Sequence, residues 1–162
     1  MTRLFLSFDL PDEAANELRH LQNNFSGKHV KSFHLTLKFF GNVYDDDIPF
    51  IKDALLKLKF PKFEAKLGSV GKFSHAAWVS LEPTDVITRL HEQIDNLLSA
   101  RFPKDERFSP HVTFVRFEEN DDIKDLKVKP LCFAVEHITL YKSTLKPTGP
   151  VHEPLFTRSL GF

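Results

Sequence analysis

The chain has 162 residues, 22 acidic and 22 basic, for a formal net charge of zero. That balance excludes a protein that coats long nucleic-acid duplexes, where affinity comes from neutralising many phosphates, but leaves room for a local site holding one phosphate. The single cysteine, Cys132, excludes an internal disulfide, and folding at this length buries roughly 70% of the unfolded surface, so no structural metal is needed either.

Residues 3–9, RLFLSFD, read as a buried strand. Its apolar run is too short for a membrane span and has no cleavage-site pattern, which points to a soluble, cytoplasmic protein. Pro11, the acids Asp12 and Glu13, and apolar residues at Ala14, Leu18, Leu21 and Phe25 mark an amphipathic helix ended by Gly27. HLTLKFFG follows as a strand closed by Gly41 and Asn42. Asp45, Asp46 and Asp47 offer an N-cap to a helix carrying Ile48, Ile51, Leu55 and Leu58, with Pro49 in its first turn. Residues 62–73 read as extended chain with a turn at Gly68–Ser69.

The second half begins with AAWVSL, a strand at 76–81. Pro83 leads into a helix with Ile87, Leu90, Ile94 and Leu97, and HVTFVRF is the next strand. Asp121, Asp122 and Ile123 open a short helical turn, and residues 131–142 form a strand in which Cys132 is expected to be a buried small hydrophobe. The tail, 143–162, is richer in Pro, Gly and Thr and is expected to pack along the surface, with a last short strand near Leu155 to Leu160.

The same order occurs twice: strand, proline, helix, a strand with His–x–Thr, an acid-capped helix, strand. The gap from proline to histidine is 23 residues in the first half and 28 in the second. This implies an internal duplication, approximately 2–73 and 76–142, in a single bilobal domain onto which 143–162 packs back.

Side chains two apart on a strand share a face. His34 thus stands beside Thr36, and His111 beside Thr113, with apolar neighbours behind. Two imidazoles facing one cleft can divide acid and base work near neutral pH, and two hydroxyls can donate to non-bridging phosphate oxygens. Composition alone gives roughly 0.4 His–x–Thr matches, whereas three occur, the third at His137–Thr139. The duplication selects His34 and His111, because His137 lies in a third strand whose counterpart, 62–73, has no such pair. His20 and His91 are expected on solvent-facing helix surfaces, and His29, His75 and His152 in loops, with His75 or His152 at a cleft rim. No HxxxH, CxxC or HExxH spacing appears, so neither metal nor cofactor is expected.

With these motifs the chain resembles the 2H phosphoesterases, and within them the RNA 2′,3′-cyclic phosphodiesterases historically called 2′-5′ RNA ligases. The resemblance rests on the pairs His34–Thr36 and His111–Thr113, RLFLSFDLP at the start, HLTLKFFGNV, Ser109–Pro110, and LYKSTLKPTGPVHEPL near the end. It implies an α+β bilobal fold, with antiparallel sheets lining a central cleft and helices outside. It implies metal-independent opening of a terminal 2′,3′-cyclic phosphate to a 2′-phosphate, with reversible 2′-5′ ligation as a side activity. The partners it implies are RNA ends, tRNA among them, or a small cyclic nucleotide; no membrane, and a monomer, are expected.

By the resemblance, His34 protonates the departing 3′ oxygen, His111 activates water, and Thr36 and Thr113 hold the phosphate. The residues themselves leave open which histidine does which. Arg116 is a further phosphate ligand by resemblance, but plain alternation turns it from the His111 face, so that role requires a bulge or the strand end. The alternative is an ion pair with a helix acid. Lys38 shares the His34 face by alternation and is expected to reach solvent. Rival readings are a non-catalytic module that binds nucleotides or RNA ends, and a 2H enzyme for 2′-5′ oligoadenylate or a cyclic nucleotide.

Overall fold

The apolar alternation of the sequence folds into two antiparallel sheets with helices packed against them, an α+β architecture. The computed structural model describes residues 1–117 and 126–161. Their elements are β1 (Thr2–Asp9), α1 (Asp12–Gln22), β2 (Lys28–His29), β3 (His34–Val43), a 3-10 turn (Asp45–Asp47), α2 (Ile48–Leu56), β4 (Phe63–Phe73), β5 (Ala76–Glu82), α3 (Thr84–Leu98), β6 (His111–Arg116), β7 (Cys132–Val135), β8 (His137–Lys146) and β9 (Gly149–Ser159). One sheet runs β3-β1-β8-β9 and the other β2-β6-β5-β4-β7. Each sheet draws strands from both halves of the sequence: β4 pairs with β5, and β8 with β1.

The helices bury the stripes that their spacing prescribes. Leu18 of α1, Ile51 of α2, and Ile87, Leu90 and Ile94 of α3 are fully buried, each stabilising the fold by roughly 1.5–3 kcal/mol. Pro11 and Pro83 precede α1 and α3 in extended conformation and stop either helix from extending backwards. Packing crosses between halves, with α1 against β6 and α3 against β3.

Several expectations need correction. Helix α1 stops at Gln22, well before Gly27. Gly27 instead allows a close approach: a Cβ there would lie 2.4 Å from the Arg116 carbonyl oxygen. The aspartates at 45–47 form a 3-10 turn and make no side-chain cap. Residues 63–73 are one strand, and the expected turn is a register shift between Leu67 and Val70. The strand expected at 131–142 is two, β7 and β8, in different sheets. Cys132 is exposed, since alternation along β7 buries Phe133 and Val135 instead. The tail is a full hairpin: β8 continues to Lys146 and pairs with β9 along its whole length. The helical turn expected at Asp121–Ile123 lies outside the described residues. Among the described residues, no helix is long and apolar enough to cross a membrane.

Candidate active site

A cavity of about 580 Å³ is lined by His34, Thr36, His111, Thr113 and Arg116 together. Strand β3 brings the first pair, with His34 opposite Asp9 and Thr36 opposite Ser7 of β1. Strand β6 brings the second, with His111 opposite Ser80 and Thr113 opposite Trp78 of β5. The third match is elsewhere: His137 is exposed at the start of β8 and does not line the cavity, and Thr139 Oγ1 lies 3.4 Å from Thr157 Oγ1.

Arg116 reaches the cavity because β6 is bulged. Thr113 pairs with Trp78 and Val115 with Ala77, so Phe114 has no partner in β5. One extra residue shifts the alternation, buries Phe114 and Val115 in succession, and returns Arg116 to the His111 face. Strand β3 does the same. Leu37 is unpaired between Thr36 and Lys38, so Phe39 faces the cavity while Lys38 turns inward. Lys38 thus departs from the solvent position expected of it. It is buried, with Nζ 2.7 Å from Asp95 Oδ1 and 3.2 Å from Asp105 Oδ1, and it donates to the Pro103 carbonyl at 2.8 Å.

The two histidines have different surroundings. His111 Nδ1 donates to the Ser109 carbonyl at 2.7 Å. A carbonyl only accepts, so that nitrogen carries hydrogen, and in the neutral ring Nε2 keeps its lone pair for a proton. His34 stacks on Phe5, with centroids 4.9 Å apart, and meets His152 edge to face at 5.7 Å. Burial, reinforced by charge on His152 and opposed by Asp9, lowers its pKa to about 4. Tyr141 donates to Asp9 Oδ2 at 2.5 Å, and burial together with that carboxylate pushes the phenol up.

Loop placement was wrong for His152, which lies in β9, but it does stand at the cleft, lining the main cavity and a second one of about 350 Å³ beside His34. His29, also expected in a loop, is in β2 and lines the main cavity, whereas His75 sits in the turn between β4 and β5. Arg3, Lys28 and Lys31 join the lining, which contains no carboxylate among the described residues. Motif reading missed these cations, because they come from β1 and from the segment around β2, and only pairing brings them near the histidines.

His91 is buried, not solvent-facing as expected. Donor atoms of His91, Asp95 and Asp105 lie within 4.8 Å of one another, a spacing a metal could use. Lys38 already supplies a cation to both carboxylates, and none of these residues lines the cavity.

Two antiparallel sheets presenting His–x–Thr strands to one cleft define the class as a 2H phosphoesterase. The family model described as the 2′-5′ RNA ligase superfamily matches residues 10–147, and the chain belongs to that superfamily. It is 31% identical over 174 residues to the Thermotoga maritima protein named RNA 2′,3′-cyclic phosphodiesterase, covering 95% of this chain and 93% of the relative. A Methanocaldococcus jannaschii protein of the same name is 30% identical over 169 residues, covering 93% and 96%. The crystal structure of Escherichia coli LigT in its apo form shares the fold, with a TM-score of 0.85, 25% identity, and coverage of 98% of this chain and 97% of that one.

Proposed function

We propose that this chain hydrolyses the 2′,3′-cyclic phosphate at RNA ends to a 2′-phosphate, with His34 and His111 as acid and base. The observation that carries the reading is the convergence of both His–x–Thr pairs on one cation-lined cavity. The names of its relatives agree with it. The repeated element order supports one bilobal domain made of two related halves, 2–73 and 76–142, with 143–162 packed back.

In this reading His111 Nε2 takes a proton from water as the water oxygen bonds to phosphorus. The bond from phosphorus to the 3′ oxygen breaks, and that oxygen takes a proton from His34. The product is a 2′-phosphomonoester beside a free 3′ hydroxyl. Thr36, Thr113 and Arg116 donate to the non-bridging oxygens as charge develops there. A buried neutral His34 donates nothing until it gains a proton, and the bound phosphodiester anion supplies the charge that favours it. The same displacement with a ribose 5′ hydroxyl in place of water forms a 2′-5′ phosphodiester as the 3′ oxygen leaves, which is 2′-5′ ligation, and its reverse returns the cyclic phosphate.

The test is product analysis. An oligoribonucleotide ending in a 2′,3′-cyclic phosphate should yield a 2′-monophosphate, at the same rate with and without chelator. A 3′-monophosphate, or no product in long incubation, overturns the reading.

A further inference from the structure

In each motif strand the bulge that directly follows the His–x–Thr pair is held by a buried side chain from a helix. Gln22, the last residue of α1, donates from Nε2 to the Phe114 carbonyl at 2.8 Å and to the Val30 carbonyl at 2.7 Å. The Val30 N–H also donates to the Phe114 carbonyl, at 3.0 Å. His91 of α3 donates from Nδ1 to the Leu37 carbonyl at 2.6 Å. Phe114 has no partner in β5 and Leu37 none in β1, and a buried carbonyl in that position needs a donor. Gln22 and His91 are 5% and 3% exposed, so water does not compete for these bonds. The arrangement is crossed, since α1 follows β1 but serves β6, and α3 follows β5 but serves β3.

We propose that Gln22 and His91 are positioning residues of the cleft, each clamping the bulge that follows the other half's His–x–Thr pair and so turning Arg116 and Phe39 toward the substrate. This rests on the reading of Arg116 as a phosphate ligand. A strand that loses its bulge shifts phase by one residue and turns Arg116 away from the cavity. Phe39, half-exposed with the Arg3 guanidinium 4.9 Å over its ring, offers a flat apolar face to a base.

A Gln22 that only satisfies carbonyls would affect stability, not Arg116. A double-mutant cycle separates the two roles. With RNA bearing a cyclic phosphate as substrate, and rates normalised to folded protein well below the melting temperature, Arg116→Ala should lower kcat/KM by about 10²–10³-fold. Gln22→Leu should lower it by about 10- to 100-fold, the scale of a ligand misplaced by an ångström. Arg116→Ala with Gln22→Leu should be no slower than Arg116→Ala alone. Multiplicative losses overturn the clamp. An Arg116→Ala protein with full activity overturns the phosphate role instead. Should Gln22→Leu fail to fold, Gln22→Met, unbranched and of similar length, enters the same cycle under the same criterion.

Discussion

The rings of His34 and His152 meet edge to face, 5.7 Å between centroids, and Phe5 packs against both. Asp9 and Arg3 of β1 and Tyr141 of β8 stand around the pair, and Asp12, Arg19 and Lys31 line the same smaller cavity; Asp9 favours a proton on either imidazole and Arg3 opposes one on His152. Charge on His152 depresses His34, so the two imidazoles titrate as a pair. In the free protein, His152→Phe keeps an aromatic ring but removes that charge. The His34 titration, followed by NMR of its ring, should move to higher pH. An unchanged His34 midpoint would show that the two rings pack without coupling.

The same depression makes stability depend on pH. His34 binds a proton near pH 6.5 in the unfolded chain but only near 4 in the fold. Between those values the unfolded state holds more protons, so stability rises with pH. The contribution is complete above about pH 6.5, falls away toward pH 4 and is flat below, amounting to at most about 3 kcal/mol. Denaturant unfolding at pH 7 and pH 4.5 should show a larger difference for the wild type than for His34→Phe. Equal differences would remove His34 as the source.

Much of this site was legible because strand alternation is local. A period of two is enough to put His34 beside Thr36 and His111 beside Thr113, and repeated element order is enough to set His137 aside. Arg116 and Lys38 were not legible in that way. Both lie past a bulge, and a bulge depends on which carbonyl Gln22 or His91 can reach from another part of the chain. His91 sits on a helix whose polar stripe looked solvent-facing. Asp95 stands one turn on along α3, but the burial also follows from Lys38 and Asp105, which no spacing along α3 reveals. In the tail only a short strand near Leu155 to Leu160 was legible, because Pro150, Pro154 and Gly149 are turn-formers in most settings, yet β9 tolerates them as an edge strand.

Removing either imidazole should be costly and should spare the fold. His34→Ala and His111→Ala are each expected to lower turnover of a cyclic-phosphate oligonucleotide by about 10²–10⁴-fold, the scale for a positioned acid or base. His137→Ala, at an exposed position outside the cavity, is expected to stay within about twofold of the wild type, as surface changes generally do. A loss at His137 as deep as that at His34, in a protein with a normal melting temperature, would move the assignment to β8.

Lys38 supports the fold from behind β3. Lys38 and Asp95 are both buried, and no aligned hydrogen bond reaches Asp95 Oδ1, so its 2.7 Å contact with Nζ is an ion pair. The His91 ring stacks on Phe108 at 3.9 Å, with Nε2 3.2 Å from Asp95 Oδ2, and that oxygen accepts from the Asp105 N–H at 2.9 Å. The network ties β3 to residues 103–108, the approach to His111. Lys38→Met removes the central cation and leaves buried carboxylate charge uncompensated, which should cost about 3–5 kcal/mol in denaturant unfolding. Adding Asp95→Asn removes the stranded charge, so the double variant should be more stable than Lys38→Met alone. If Asp95→Asn makes matters worse, Asp105 and the Pro103 carbonyl hold Lys38, and Asp95 serves chiefly as the acceptor for the Asp105 N–H.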